Sequence, residues 1–123
     1  MTQKQRQSQR KVAEDLFSKL IKARDQWCQR CGTPEWPQAA HVISRSYRAV
    51  AFEPNNAMQL CRSCHKWQTE HPLEGVDFFR EQLGSAFYDE LEYRAKRGAA
   101  VGFRVDYKTL IPDLRRRLEA TAA

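Results

Sequence analysis

The stretch NAMQLCRSCH, from Asn56 to His65, carries two cysteines with two residues between them and a histidine directly after the second. A second pair with the same spacing, Cys28 and Cys31, lies upstream, and these four are all the cysteines of the 123-residue chain. A Cys-x2-Cys turn directs two sulfurs at one ion, and zinc prefers four such ligands in a tetrahedron. We therefore predict a structural Zn²⁺ held by all four thiolates, which are Cys28, Cys31, Cys61 and Cys64.

Two other uses of the cysteines remain open at the level of sequence. Either pair could be a redox-active dithiol, although neither stands in an obvious strand-to-helix context of the thioredoxin type. Cys61, Cys64 and His65 also form the Cys-x2-Cys-His signature of c-type haem attachment, for which His71 could serve as an axial ligand. Haem attachment would leave the upstream cysteine pair unexplained. The zinc site uses all four cysteines and is therefore the favoured interpretation.

Apolar spacing predicts a small α+β protein. Residues 11–27 show the three-to-five spacing of an amphipathic helix, whereas residues 1–10 show no apolar periodicity and are expected to fray. Short apolar stretches predict two strands, and later amphipathic runs predict three more helices. The predicted strands are 39–43 and 50–52, and the predicted helices are 58–67, 76–97 (with a weak point at Gly84 and Gly98 as its C-cap) and 106–119.

The predicted architecture is a zinc-clasped ββα-metal finger of treble-clef-like form, flanked by helices. The length fits one domain over residues 1–123. Within it, residues 1–26 form a basic N-terminal helix, residues 28–70 the zinc-bound core and residues 73–121 a helical extension. So small a core buries little apolar area, and we expect the metal to supply much of its stability.

Positive charge is concentrated near the N-terminus. The chain has a net charge of +6, and the first 24 residues contain only two acids. Their basic residues are Lys4, Arg6, Arg10, Lys11, Lys19, Lys22 and Arg24. Such a segment favours polyanions, nucleic acid above all, although a solvated helix can carry the same charges. No apolar run is long enough for a membrane span, and the basic N-terminus lacks the apolar segment of a secretory signal, so we expect a cytoplasmic location and no membrane partner.

A histidine, an asparagine and a second histidine accompany the cysteines. His41 lies in the run AHVI between the two cysteine pairs, Asn56 precedes the second pair and His65 follows it. In this order the seven residues resemble the HNH (His-Me finger) endonucleases in their zinc-containing form, and the resemblance covers about residues 28–67. The runs HVISR and FEPNN are more loosely similar to phage NinG-like recombination nucleases, which tend to have asparagine where His65 stands.

The resemblance implies a role for each of these residues. His41 would be the general base that activates water, since a neutral histidine near pH 7 can accept its proton. His65 would bind a catalytic divalent ion, Mg²⁺ or Mn²⁺, which stabilises the leaving oxygen. Asn56 would hold the loop that orients His41. Each residue also has a simpler interpretation. His41 could be a buried, hydrogen-bonded histidine, Asn56 a helix cap and His65 a partner of the zinc cysteines.

One position departs from the family pattern. Many HNH sites have an acid or a histidine as a second metal ligand directly before the general base, and here that position is Ala40. His71 could supply the missing ligand, and water could complete the shell, since Mg²⁺ commonly keeps several waters. Alternatively, catalysis has been lost and the chain is a non-catalytic zinc-finger protein that binds DNA.

Three basic residues are the expected nucleic-acid contacts. Arg45 and Arg48 follow His41, and Lys66 follows His65. Guanidinium groups match phosphate oxygens, so these side chains would fix the position of the backbone without reading sequence. The expected partner is DNA, in branched form if the NinG-like similarity holds. A homodimer would then be expected, because two strands must be cut.

Overall fold

Five α-helices and one two-stranded antiparallel sheet make up residues 1–122, the part of the chain that the computed structural model describes. The elements in chain order are α1 (Gln3–Asp25), β1 (Pro37–His41), β2 (Ala57–Cys61), α2 (Arg62–Glu70), α3 (Pro72–Leu83), α4 (Ser85–Val101) and α5 (Tyr107–Ala122). The α+β class is therefore confirmed.

The hairpin and the helix after it form the centre of the molecule. β1 pairs with β2 in a register that sets Pro37 opposite Cys61 and His41 opposite Ala57. α2 starts directly after Cys61, whose sulfur accepts a hydrogen bond from the Cys64 amide and so caps the helix. A long connection, which we call the 42–56 loop, joins the strands and ends in a short 3₁₀ turn at Pro54–Asn56. His41 thus lies where β1 passes into this loop.

Two predictions about this region were wrong. Residues 50–52 form a turn rather than a strand, and the second strand is β2, within the segment assigned to a helix. All five residues of β2 are buried because helices cover both faces of the hairpin. Burial on both faces removes the alternation that marks a half-exposed strand, and the spacing of Leu60, Cys61 and Cys64 then favours a helix over 58–67 instead.

Helix α1 packs mainly against α5 and covers one face of the hairpin. Phe17 and Ile21 of α1 meet Ile111 and Leu114 of α5 in the largest buried cluster. The expected fraying of residues 1–10 is not seen, because α1 begins at Gln3 with a capping box formed by Thr2 and Gln5.

The predicted helix 76–97 is two helices. Gly84 has a φ of 87°, which favours glycine, and it separates α3 from α4. α4 then continues past Gly98 and is capped by Gly102 instead. Gly98 has a packing role, since a Cβ there would collide with the Cβ of Ala49 in the 42–56 loop.

None of the helices in residues 1–122 combines the length and the apolarity that crossing a bilayer requires.

Candidate functional site

The four cysteines form one cluster at the end of the hairpin. Their sulfur atoms all lie within 4.8 Å of one another, and Sγ of Cys31 is 3.7 Å from Sγ of Cys61. A disulfide would require about 2.05 Å, whereas a tetrahedral ion with bonds of about 2.3 Å to sulfur separates its ligands by roughly 3.8 Å. The donor set therefore fits a tetrahedral metal ion, and it uses both cysteine pairs at once, which neither a haem nor a separate dithiol would do.

Backbone geometry prepares the first cysteine pair for a metal. Sγ of Cys28 accepts amide hydrogen bonds from Arg30 and Cys31, at 3.4 and 3.5 Å. Gly32, with a φ of 83°, turns the chain after Cys31 and donates its own amide to the Cys28 carbonyl. Burial opposes ionisation of Cys28, but these hydrogen bonds outweigh it and lower its pKa to about 6. Burial raises the pKa of Cys64 to about 12, so a bound cation is needed to release that proton at neutral pH.

Arg30 supports the cluster from outside. Its guanidinium lies 3.6 Å from the centre of the Trp67 ring and donates a hydrogen bond of 3.5 Å to Sγ of Cys64. The ring of His71 also stacks on Trp67, with ring centres 5.9 Å apart, and Nδ1 of His71 donates a hydrogen bond to the Trp67 carbonyl. His71 does not line the cleft that holds His41 and His65, so the structure does not bring it to the expected catalytic ion.

A second feature is an open cleft of about 530 Å³ between α1, the hairpin and the 42–56 loop. We call it the histidine cleft, because His41 and His65 both line it. Phe17 of α1 stacks on His41, with ring centres 5.4 Å apart. A positive charge on His65 would lower the pKa of His41.

His41 has one ring nitrogen engaged and one free for chemistry. Nε2 lies 2.9 Å from the carbonyl oxygen of Ala51. A carbonyl can only accept, so Nε2 carries the proton and Nδ1 has the lone pair. Burial lowers the pKa of His41 below its usual 6.5, and the positive charge of Arg45 lowers it further. The imidazole is therefore neutral near pH 7, as a general base must be.

Asn56 fixes the loop that holds His41. Its side chain is fully buried and bridges two parts of the 42–56 loop. Oδ1 accepts from the Ile43 amide at 2.8 Å, while Nδ2 donates to the carbonyls of Ile43 and Val50 at 3.0 and 2.9 Å. Val50 directly precedes Ala51, whose carbonyl sets the His41 tautomer. Asn56 thus acts on His41 through the backbone, and it does not line the histidine cleft.

His65 has the opposite arrangement of nitrogens. Nδ1 lies 2.7 Å from Oε1 of Gln38 on β1, which accepts a hydrogen bond from the Nδ1–H group and leaves Nε2 free. Metal-binding histidines usually donate their other ring N–H in this way, which fixes the ring and raises its basicity. Gln38 could not be predicted from the sequence, because nothing in the order of residues indicates which side chain of the hairpin will face His65 of α2.

The position of Ala40 is now clear in structural terms. Its side chain is fully buried in the cluster that includes Cys28 and Met58. Within residues 1–122, the cysteines are the only His, Cys, Asp or Glu side chains that gather three or more ligand atoms close enough for one ion. Carboxylates nevertheless reach the histidine cleft from α1, where Glu14 and Asp15 line it. Helix α1 was not expected to contribute to the site.

The expected phosphate contacts occupy two places. Arg45 and Arg48 line the histidine cleft, where Arg45 forms an ion pair of 2.6 Å with Glu14. Lys66 lines a separate shallow groove that shares His65 with the cleft. Arg62, which sequence analysis did not select, lies in that groove and its guanidinium is 5.2 Å from the ring centre of the exposed Trp36.

Comparison with known proteins gives no family to assign: no protein-family model, no curated protein and no solved structure matches the chain.

Proposed function

We propose that this chain is a metal-dependent endonuclease of the HNH type, which hydrolyses phosphodiester bonds in DNA. The observation that carries the proposal is the pairing of His41 and His65 in one cleft with complementary free nitrogens, Nδ1 on one and Nε2 on the other. The lone pair on Nδ1 of His41 suits a general base, and the lone pair on Nε2 of His65 suits a metal ligand. Both tautomers are fixed by an oxygen acceptor.

The proposed reaction is in-line hydrolysis. Nδ1 of His41 takes a proton from a water molecule, whose oxygen attacks phosphorus as the bond to the 3′ oxygen breaks. Phe17 and the Ala51 carbonyl hold the imidazole at the histidine cleft and leave Nδ1 without a competing hydrogen bond to them. Arg45 and Arg48 neutralise charge on the phosphate, for which Arg45 must exchange Glu14 for a phosphate oxygen.

A divalent ion, Mg²⁺ or Mn²⁺, would stabilise the leaving oxygen. His65 would hold it through Nε2, with Gln38 fixing the ring. Ala40 offers no ligand, and His71 lies elsewhere, so water and phosphate oxygens would fill the rest of the shell. Magnesium is suited to such a site, because it retains several waters when bound by few protein groups.

Zinc on the four cysteines has a structural role in this proposal. The sulfurs would clasp the loop that precedes β1, the end of β2 and the first turn of α2. With zinc bound in this way, the hairpin and α2 would form a ββα-metal finger of treble-clef-like form, which is the fold type that we propose for the core. The clasp fixes β1, which carries His41, relative to α2, which carries His65, and so sets the spacing of the two histidines.

The substrate is DNA with weak sequence preference, in branched form if the similarity to NinG-like recombination nucleases reflects a phage or prophage role. The proposed contacts are all to phosphate, and contacts to phosphate do not distinguish one base sequence from another. A homodimer belongs to the same proposal, because resolution of a branch needs two cuts.

The test is cleavage of supercoiled plasmid and of a four-way junction by protein whose zinc content has been measured. We expect nicked or linear plasmid with Mg²⁺ or Mn²⁺ and none without a divalent ion. Binding without cleavage under every divalent ion would refute the proposal.

Ala40 favours one alternative, a non-catalytic zinc-bound protein that binds DNA. In sequence, Ala40 occupies the position where many HNH sites have a metal ligand, and its methyl group is buried beside Cys28 and Met58. This alternative predicts DNA binding that is independent of divalent ions and of His65. The same plasmid experiment, accompanied by binding of uncut DNA, separates the two functions.

A further inference from the structure

A second groove, with a volume of about 550 Å³, lies beside the histidine cleft, between the N-terminal half of α1 and the connection from α4 to α5. It contains four arginines and no acidic side chain. We call it the arginine groove and define it by Arg6, Arg10, Arg48, Arg104, Phe103 and Tyr107. Sequence analysis placed Arg6 and Arg10 in a basic segment but could not place Arg104 beside them.

Two of the four arginines, Arg6 and Arg48, are held in position by neutral groups of the fold. Arg6 donates to the Val105 carbonyl at 3.3 Å and lies 5.3 Å from the centre of the Tyr107 ring. Arg48 donates to the Arg45 carbonyl at 3.0 Å. These contacts fix the guanidinium groups without cancelling their charge, because the acceptors are neutral carbonyls. Arg10 has a carboxylate partner, Glu14, at 3.5 Å, and that residue belongs to the histidine cleft rather than to the groove.

Four cations around one concave surface repel one another unless an anion is bound between them. A guanidinium already held at one edge keeps further N–H groups free to donate, and phosphate oxygens match their spacing. Phe103 is 47% exposed at the same surface, so an apolar ring is available to a sugar or a base.

The arginine groove is continuous with the histidine cleft. Arg48 lines both, and Glu14, in the cleft, pairs with Arg10 of the groove and with Arg45 of the cleft. A polyanion bound in the groove therefore leads directly to the two histidines. A single phosphate ion could bind in one of these two surfaces but could not span both. A polymer with a chain of phosphates could occupy the arginine groove and the histidine cleft together and pass from one to the other at Arg48.

We propose that the arginine groove binds the sugar–phosphate backbone of DNA on one side of the cleaved bond. The identity of the polymer rests on the proposed function, whereas the groove itself rests on its four arginines. Binding here fixes the direction in which the strand leaves the histidine cleft, towards the N-terminus of α1 and the α4–α5 connection. It adds affinity without sequence preference.

The test compares two triple variants that remove the same charge. One changes Arg6, Arg10 and Arg104 to glutamine. The control changes Lys96, Arg97 and Lys108, which are exposed, lie outside the basic N-terminal segment and line neither surface, to glutamine. Affinity for a short labelled DNA duplex is measured by fluorescence anisotropy over a range of salt concentrations, without divalent ions so that no strand is cut.

We expect the groove variant to bind about tenfold more weakly or worse, with a salt slope reduced by about two to three, whereas the control changes affinity by about twofold or less. Arg104→Glu is measured as well, since Arg104 is exposed and its loss leaves the fold intact; it should weaken binding more than Lys108→Glu does.

Equal losses in the two triple variants would overturn the proposal, since net charge would then suffice. So would wild-type protein that binds anionic lipid vesicles with the same arginine dependence but does not bind DNA. If binding depends on the groove and no cleavage occurs with any ion, the nuclease proposal fails and the groove remains. If DNA is cut but the groove variant binds normally, the groove fails and the nuclease remains.

Discussion

Nδ1 of His65 lies 2.7 Å from Oε1 of Gln38, so a side chain on β1 fixes the ring of a histidine on α2. The same strand ends at His41, whose Nε2 is fixed by the Ala51 carbonyl. β1 thereby positions both imidazoles, one by carrying it and one by a hydrogen bond. The relationship leads directly to a prediction about metal binding.

Gln38→Ala should lower the affinity for the catalytic divalent ion while leaving zinc bound to the cysteines. Loss of an acceptor behind a metal-binding histidine typically costs about 10- to 100-fold in metal affinity. We expect the Mg²⁺ or Mn²⁺ concentration for half-maximal cleavage to rise by about that factor, with one zinc per chain retained. The exposed Gln82→Ala is the matched control, and an unchanged metal requirement in Gln38→Ala would remove Gln38 from the site.

Asn56→Ala should destabilise the protein strongly, because it leaves the Ile43 amide and the Ile43 and Val50 carbonyls without partners in a buried place. The expected loss is about 2–4 kcal/mol in the free energy of unfolding. Denaturant unfolding measures it. The exposed neighbour offers a control, since Asn55→Ala should cost much less; similar losses in the two variants would show that the loop is not held by Asn56.

Removal of the zinc should unfold the finger. Cys61→Ser breaks the cluster at the junction of β2 and α2, and we expect zinc content to fall and the melting temperature to drop by about 10 °C or more. Ser63→Ala, in the same turn but with its side chain outside the cluster, should keep both values. Full stability of Cys61→Ser without bound metal would mean that apolar packing alone maintains the hairpin.

The pH dependence follows from His41. Its pKa lies below 6.5, mainly through burial, so the neutral base persists to a lower pH than in free histidine. Cleavage rates should therefore decline on the acid side with a midpoint below 6.5. The Glu14 charge raises this pKa and the Arg45 charge lowers it. Glu14→Gln should thus move the decline to lower pH and Arg45→Gln to higher pH, and shifts in the same direction would contradict the assignment.

The same shift affects folding stability in a defined direction. The unfolded chain binds a proton at His41 below about pH 6.5, whereas the folded chain resists it, so this group lowers stability as the pH falls through that range and contributes nothing above it. His41→Gln should therefore weaken the decrease in melting temperature between neutral and mildly acidic pH. An unchanged decrease would assign it to other groups.

The parts of this site that are set by local spacing can be predicted from the sequence. The two Cys-x2-Cys turns fix their own sulfurs, and the order of His41, Asn56 and His65 identified three residues that the fold places around one hairpin and its helix. The sequence does not predict what depends on tertiary packing. The buried strand β2 has a pattern that favours a helix. Glu14 of α1 bonds to Arg45 in the cleft although the two residues are 31 positions apart in the sequence.

Some predicted residues lie where no local pattern could place them. His71 was assigned to a catalytic ion by its distance in sequence from His65, yet it stacks on Trp67 because α2 ends there and α3 begins. Gln38 and Arg104 gained their roles only from the neighbours that folding gives them. Spacing in sequence predicts which side chains are close together within one turn, but it does not predict which side chains of different elements will be close.

The central claim is that His41 activates water for phosphodiester hydrolysis, and its most direct test is cleavage of supercoiled plasmid by His41→Ala beside the wild type. Zinc content, melting temperature and affinity for uncut DNA are measured in both. We predict that the wild type cuts with Mg²⁺ or Mn²⁺, and that His41→Ala binds DNA and zinc normally but cuts at least about 100-fold more slowly. Equal cutting by both proteins would contradict the claim.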